Sequence, residues 1–98
     1  MREKRPCVYI LASGRNGTLY VGATSDVARR TFEHREGAIP GFTRRYNVHH
    51  LVFVEFHETM DTAMMRERQI KKWRRAWKLE PIERENPQWR DLYGELAL

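Results

Sequence analysis

Two short apolar runs near the start of the chain constrain its fold most strongly. Residues 7–12 read CVYILA and residues 18–23 read TLYVGA, and both runs are rich in residues that favour strands. The five residues between them include two glycines and an asparagine, which is typical of a turn. We therefore predict an antiparallel hairpin at this end of the chain.

A helix is predicted directly after the second strand, over residues 26–36. Thr24 or Ser25 can cap its first turn, and Asp26 is favourable there because the N-terminus of a helix carries partial positive charge. Gly37 is well placed to end the helix.

A loop and a third strand follow. Residues 38–47 contain a proline and a glycine and have no helical periodicity, which indicates a loop that carries Arg44, Arg45 and Tyr46. Residues 50–57 read HLVFVEFH, and the density of valine and phenylalanine predicts a strand.

The longest predicted helix covers residues 61–78, with Asp61 as its cap. Pro81 should prevent the helix from continuing, because proline lacks the backbone N–H that the helix requires. Four residues form the apolar stripe of this helix: Ala63, Ile70, Trp73 and Trp77.

In the last part of the chain we predict a turn at Asn86 and Pro87 and then a short helix. Trp89, Leu92 and Tyr93 should face inward from it. The element order β-β-α-β-α-α predicts an α+β fold, a small three-stranded antiparallel sheet flanked by helices. With 98 residues, we expect one domain over residues 1–98.

Composition narrows the class of protein. Hydrophobic residues make up 41% and charged residues 32%, which is typical of a globular chain. The single cysteine, Cys7, excludes an internal disulfide or a cysteine-rich zinc site. The charged start and the lack of a long apolar window lead us to expect a cytoplasmic protein without a membrane span.

The balance of charge favours a polyanionic partner. Lysine and arginine number 18 against 13 acidic residues, a net charge of +5. Between residues 66 and 78 seven basic residues are interleaved with Trp73 and Trp77, as on a surface that binds a nucleic-acid backbone. A membrane-surface or partner-binding helix remains an alternative. The predicted nucleic-acid contacts are Arg44, Arg45, Lys71, Lys72, Arg74 and Arg75.

Glu67 is the most informative polar residue, because its spacing from Ala63 and Ile70 puts it on the apolar stripe. A buried carboxylate without a partner is strongly unfavourable. Glu67 should therefore meet a basic side chain, such as Lys71, or a metal ion. One carboxylate suits Mg²⁺, which keeps several waters and also takes oxygen ligands from substrate phosphates.

Four further residues are candidates for chemistry. Arg30 and His34 stand four apart on the first predicted helix and share one face, where the guanidinium could pair with a phosphate. Tyr9 and Tyr20 lie on the two paired strands, either as core aromatics or as groups that orient and deprotonate a water.

These residues together resemble the signature of the GIY-YIG nucleases. Val8-Tyr9 and Tyr20-Val21-Gly22 resemble the paired tripeptides after which the family is named, and TSDVARR at residues 24–30 resembles its T-x-D/N-L-x-x-R segment. The resemblance covers residues 6–93 and is closest to the short stand-alone bacterial members. It assigns family positions to Arg30, His34 and Glu67.

The resemblance implies an endonuclease that hydrolyses phosphodiester bonds, with DNA rather than RNA as the expected substrate, through one Mg²⁺ (or Mn²⁺) held by Glu67. Tyr9 would activate water and Arg30 would neutralise developing negative charge. Tyr20 and His34 would position the water and the phosphate. Two positions depart from the pattern: Cys7 replaces the first glycine, and Asn86, matched to a late family asparagine, lies far along the chain from Glu67.

Two alternatives compete with a nuclease. A nucleic-acid-binding module could keep the fold without cleaving, using the basic helix and the loop of residues 44–46. A structural or partner-binding domain would use the tyrosines only as core. In the latter case Arg30, His34 and Glu67 would have no reason to converge.

Overall fold

Strand β1 (Cys7–Ala12) lies at the centre of a three-stranded antiparallel sheet, between β2 (Leu19–Thr24) and β3 (His50–Phe56). In this computed structural model, which describes residues 4–96, Tyr9 is paired with Gly22 on β2 and with Val54 on β3. The predicted hairpin is therefore confirmed, with β2 displaced by one residue from the expected bounds, and so is the α+β fold class.

The two faces of the sheet bury different sets of side chains. Val8 and Ile10 pack on one face with Ile70 and Ile82, which belong to helices α3 (Met60–Lys72) and α4 (Arg75–Glu85). Tyr9 packs on the opposite face, together with residues of α1 (Val27–Arg35). This alternation follows from the two-residue period of a strand.

Helix α1 is confirmed, but its cap is not the predicted one. Asp26 itself is the capping residue, with an extended φ of −146°, and its carboxylate accepts a hydrogen bond from the Arg29 backbone N–H at 3.2 Å. The Thr24 hydroxyl accepts instead from the Asp26 N–H. Gly37 follows the helix with φ of +68°, the left-handed conformation that glycine adopts most easily.

The prediction that residues 38–47 form only a loop is wrong. They include a one-turn helix, α2 (Phe42–Arg45), which begins after Gly41 at φ of +113°. Thr43 in this turn is buried, and its carbonyl accepts a hydrogen bond from the Val48 N–H. One turn is too short to produce the periodicity by which a helix is recognised in sequence.

The single helix predicted over residues 61–78 is two helices. α3 is capped by Thr59, not by Asp61, because the Thr59 hydroxyl accepts from the Thr62 N–H. Trp73 then adopts an extended conformation with ψ of 143°, and the chain restarts as α4. The apolar stripe ends here, because Trp77 is 51% exposed.

Pro81 lies inside α4 and does not end it, contrary to expectation. Its missing N–H removes one helical hydrogen bond, but the side chain is buried beside Ile82. The packing of α4 on the sheet through Ile82 thus outweighs an unfavourable local preference, as tertiary contacts often do.

The last described segment packs back on the sheet. Trp89 is buried, and the Leu92 N–H donates to the carbonyl of Leu51 on β3. Helix α5 covers only Tyr93–Leu96, so Trp89 and Leu92 precede it, and Tyr93 lies under the Arg35 guanidinium. Within residues 4–96, no helix combines the length and apolar character needed to cross a membrane.

Candidate active site

Tyr9 lies at the middle of the site, on the central strand and 1% exposed. Its hydroxyl is 3.1 Å from Nε2 of His34. A Cβ atom at position 22, the register partner on β2, would lie 2.5 Å from that hydroxyl oxygen. Gly22 is therefore required at this position because the phenol occupies the space of its side chain.

His34 connects this phenol to helix α2. Its ring is 3% exposed, and Nδ1 lies 2.8 Å from the Thr43 hydroxyl oxygen. Burial, with a smaller contribution from the positive charge of Arg30, lowers the pKa of His34 from its usual 6.5 to about 4. The imidazole is thus neutral at neutral pH, with each ring nitrogen in a hydrogen bond.

Arg30 brings a positive charge to the same phenol. Burial and the neighbouring Tyr20 raise the pKa of Tyr9, whereas Arg30 opposes this rise through a hydrogen bond and its charge. The Arg30 side chain is 41% exposed and lies 3.5 Å from a Glu33 carboxylate oxygen. It can therefore reach a ligand in solvent while it remains beside Tyr9.

Tyr20 completes the group of aromatic rings. Its centroid is 5.3 Å from that of His34 and 6.3 Å from that of Tyr9. On its other side it stacks with Phe42, at 6.3 Å and 28°. The structure thus brings together four of the residues singled out in the sequence: Tyr9, Tyr20, Arg30 and His34.

Glu67 lies on α3, the helix that packs on the other face of the sheet. Its carboxylate is 3.1 Å from Nζ of Lys71, the ion pair that the sequence offered as one alternative, and the side chain is 21% exposed. Residues 4–96 contain no group of three or more histidine, cysteine, aspartate or glutamate residues arranged to hold a metal. Glu67 is on the opposite face of the sheet from the group around Tyr9, and its metal role stays a prediction.

Asn86 is buried at the end of α4. Its side-chain amide donates to the carbonyls of Val52 at 3.1 Å and Arg90 at 2.9 Å, and its oxygen accepts from the Arg90 N–H. These bonds tie the end of α4 to β3 and provide a structural reason for the asparagine. Its catalytic role also stays a prediction.

The predicted nucleic-acid contacts fall in two places. Arg44 and Arg45 lie on α2, next to the residue that bonds His34, whereas the others lie on or between α3 and α4. All six are exposed, but Arg75 donates to the carbonyls of Asn16 and Gly17 in the β1–β2 turn. The break at Trp73 means that the basic stretch is not one continuous helix.

Three residues at the site were missed or given no role in the sequence analysis. Gly22 belongs to the second tripeptide, but its steric role becomes visible only from the strand register. Thr43 and Phe42 lie in the segment taken for a loop, and no spacing rule connects them to Tyr9 or His34.

Comparison with known proteins agrees with this geometry. The family model of the GIY-YIG catalytic domain matches residues 5–80. A UPF0213 protein of Staphylococcus aureus strain Mu3 and its counterpart in strain Mu50 are each 37% identical over 75 residues, covering 76% of this chain and 90% of theirs. The solution NMR structure of a UPF0213 protein from Bacillus halodurans is similar with a TM-score of 0.54 and 28% identity, covering 89% of this chain and 92% of that one. With the family model matching most of its length, the chain belongs to the GIY-YIG family.

Proposed function

We propose that the protein is a metal-dependent endonuclease that hydrolyses phosphodiester bonds in nucleic acid, DNA in preference to RNA. The observation that carries this proposal is the contact of the buried Tyr9 phenol with neutral His34, beside the charged Arg30. A core tyrosine needs one partner for its hydroxyl. Here the hydroxyl has both a base and a cation.

Tyr9 and His34 together provide a route for the proton of the attacking water. The water oxygen forms a bond to phosphorus while its proton passes to the Tyr9 oxygen, and the phenolic proton passes to Nε2 of His34. The bond from phosphorus to the leaving oxygen breaks, and that oxygen takes a proton from solvent. The raised pKa of Tyr9 makes a free phenolate unfavourable, so the phenolic oxygen has to gain one proton as it loses the other. Because the pKa of His34 is lowered to about 4, the imidazolium does not keep the proton and returns it to solvent before the next turnover.

This relay requires an unprotonated Nε2 on His34. The proton of the neutral ring is then on Nδ1, which donates to the Thr43 hydroxyl oxygen across 2.8 Å. Thr43 thus acts as a positioning residue, because it holds the ring and its tautomer without touching substrate.

Arg30 stabilises the charge that develops on the phosphate. A guanidinium stays protonated at neutral pH and presents several donors to phosphate oxygens. Its partial exposure lets it contact a bound strand. Such preorganised charge is commonly the largest contribution to catalysis in a site of this kind.

Glu67 would hold the metal ion. Helix α3 packs on β2, the edge strand that carries Tyr20, so a phosphate bound across this edge would meet a metal on Glu67 from one face of the sheet and Arg30 from the other. The Glu67 carboxylate is partly exposed, and its partner Lys71 is 51% exposed, a surface pair worth about 0.5 kcal/mol or less, so a divalent cation can displace the lysine. A single carboxylate fits Mg²⁺ better than zinc, which requires three or four protein ligands. When bound, Mg²⁺ supplies Lewis-acid polarisation of the scissile phosphate.

The test is a cleavage assay in Mg²⁺ on a panel of single-stranded, duplex and branched DNA and RNA. Tyr9→Phe and Glu67→Gln should each reduce the rate at least about 100-fold, because they remove the water-orienting hydroxyl and the anionic metal ligand. Tyr93→Phe and Glu85→Gln are matched controls away from the site, and should cleave as the wild type does.

A binding assay distinguishes the proposed nuclease from the alternative, a nucleic-acid-binding module that does not cleave. Glu67→Gln should bind nucleic acid as tightly as the wild type or more tightly, because a carboxylate that repels phosphate has been neutralised. Wild-type rates for purified Glu67→Gln protein would refute the one-metal mechanism. A wild type that binds but cleaves none of the panel would identify the protein as a binding module with the same fold.

A further inference from the structure

Helix α2 exposes two aromatic side chains next to the candidate active site. Phe42 is 45% and Tyr46 49% exposed, and their ring centroids lie 4.9 Å apart. With Arg44 and Arg45 they border an open cavity of about 680 Å³. Large aromatic side chains at the surface of so small a domain indicate a binding surface when they form a contiguous group.

This surface, which we name the aromatic platform (Phe42 and Tyr46), is continuous with the site. Phe42 stacks on Tyr20, whose ring lies against His34. The neighbouring residue Thr43 points inward and bonds His34. One turn of helix therefore connects the site to the exposed platform through consecutive residues.

We propose that the aromatic platform binds one unpaired base of a DNA strand beside the phosphate that the site cleaves. Stacking on an aromatic ring accepts every base, since each has a π-face. Arg44 and Arg45 would pair with the neighbouring phosphates; the Arg45 guanidinium, now 5.6 Å from the Tyr46 ring centroid, would turn to a phosphate when a base stacks there. No acidic residue is among those that line the cavity. The position relative to the scissile phosphate rests on the proposed nuclease function, whereas the base-binding site does not.

The lining of the cavity accommodates the sugar of either DNA or RNA. It consists of Pro40, Gly41 and the four residues already named. A ribose 2′-hydroxyl both donates and accepts hydrogen bonds, so the Tyr46 hydroxyl or an arginine can bond it. The assignment to DNA therefore follows from the proposed nuclease function, and the RNA probe below tests it.

A continuous duplex cannot use the platform, because its bases are stacked on one another and must first be flipped out at a cost of a few kcal/mol. Single strands, flaps and bubbles present such a base without that cost. The platform therefore makes the substrate a DNA strand that is unpaired next to the cleaved bond.

The experiment measures binding by fluorescence anisotropy in EDTA, where no metal-dependent cleavage occurs. The probes are a labelled single-stranded 12-mer of DNA, the same sequence as RNA, and the DNA duplex. Phe42→Leu and Tyr46→Leu should each weaken binding to the single strand about tenfold and to the duplex less than about twofold. Phe32→Leu is the matched control, since Phe32 on α1 is 51% exposed and outside the platform.

A second variant guards against a simple loss of fold. Phe42→Trp enlarges the stacking surface and should bind the single strand at least as tightly as the wild type, with an unchanged melting temperature for all variants. Equal single-strand affinity for Phe42→Leu, Tyr46→Leu and wild type would overturn the proposal, and tighter binding to RNA would overturn its assignment to DNA. Weaker single-strand binding by Phe42→Leu and Tyr46→Leu than by a wild type that binds but never cleaves would uphold the platform and refute the nuclease.

Discussion

Removal of the titratable ring at position 34 should change how the stability of the protein depends on pH. The pKa of His34 is lowered from 6.5 to about 4 in the folded protein, whereas the unfolded chain has the ordinary value. Above pH 6.5 the His34 ring is neutral in both the folded and the unfolded state, and protonation costs the fold no stability. As the pH falls from 6.5 towards 4, only the unfolded state takes up a proton, and the fold is progressively destabilised.

The size of this effect follows from the shift itself. One pKa unit corresponds to ~1.4 kcal/mol, and the ring is 3% exposed, so the full change is about 3 kcal/mol between pH 7 and pH 4. In His34→Gln, which retains hydrogen-bonding capacity but does not titrate, this component should be absent. A domain of this size has a total stability of roughly 5–10 kcal/mol, so the effect is large enough to measure.

Urea denaturation of the wild type and of His34→Gln over pH 4 to 7 measures the difference directly. Other groups with shifted pKa values, such as Asp91 and His49, are present in both proteins and cancel. The reasoning would be refuted if the difference in unfolding free energy between the two proteins stayed constant within about 0.5 kcal/mol from pH 4 to 7. The ¹⁵N chemical shifts of the imidazole would show directly whether the ring is charged.

Two further predictions concern packing and charge. Gly22→Ala should displace the Tyr9 phenol and lower the free energy of unfolding by about 1–3 kcal/mol, because its Cβ would approach the hydroxyl to 2.5 Å. Gly94→Ala, with no atom within 4 Å of its Cβ, is the control. Equal melting temperatures for the two variants would contradict the pairing of Gly22 with Tyr9. The affinity for DNA should fall as salt rises, because exposed arginines and lysines that bind phosphates release the counterions condensed on the DNA. A plot of log association constant against log salt concentration should have a slope more negative than about −2. An affinity unchanged from 50 to 200 mM salt would exclude a phosphate-binding surface.

The parts of the fold that carry local sequence signals could be predicted from the sequence. The strands and α1 were recognised because apolar runs rich in strand-forming residues and a terminal glycine are such signals. The division between α3 and α4 was not, since Trp73 is apolar at the expected spacing and breaks the helix only through its backbone conformation. Pro81 was misjudged because the packing that tolerates it is tertiary.

The same distinction holds for the candidate site. Tyr9, Tyr20, Arg30 and His34 were found because a motif names them. Thr43 contacts His34 only because a one-turn helix passes beside α1, and no sequence spacing carries that information. Contacts between elements that are short and irregular require the three-dimensional structure.

The central position of β1 has a consequence for motion at the site. Every residue of Cys7–Ala12 is buried and the strand is paired on both sides, so its amide protons should exchange with solvent only through near-global opening. Helix α2, with one turn and a single buried residue, should exchange far faster. Tyr9 thus lies on the part of the molecule that should open most slowly. The side chains of α2 that would contact a nucleic-acid strand lie on a segment that can change shape without displacing Tyr9.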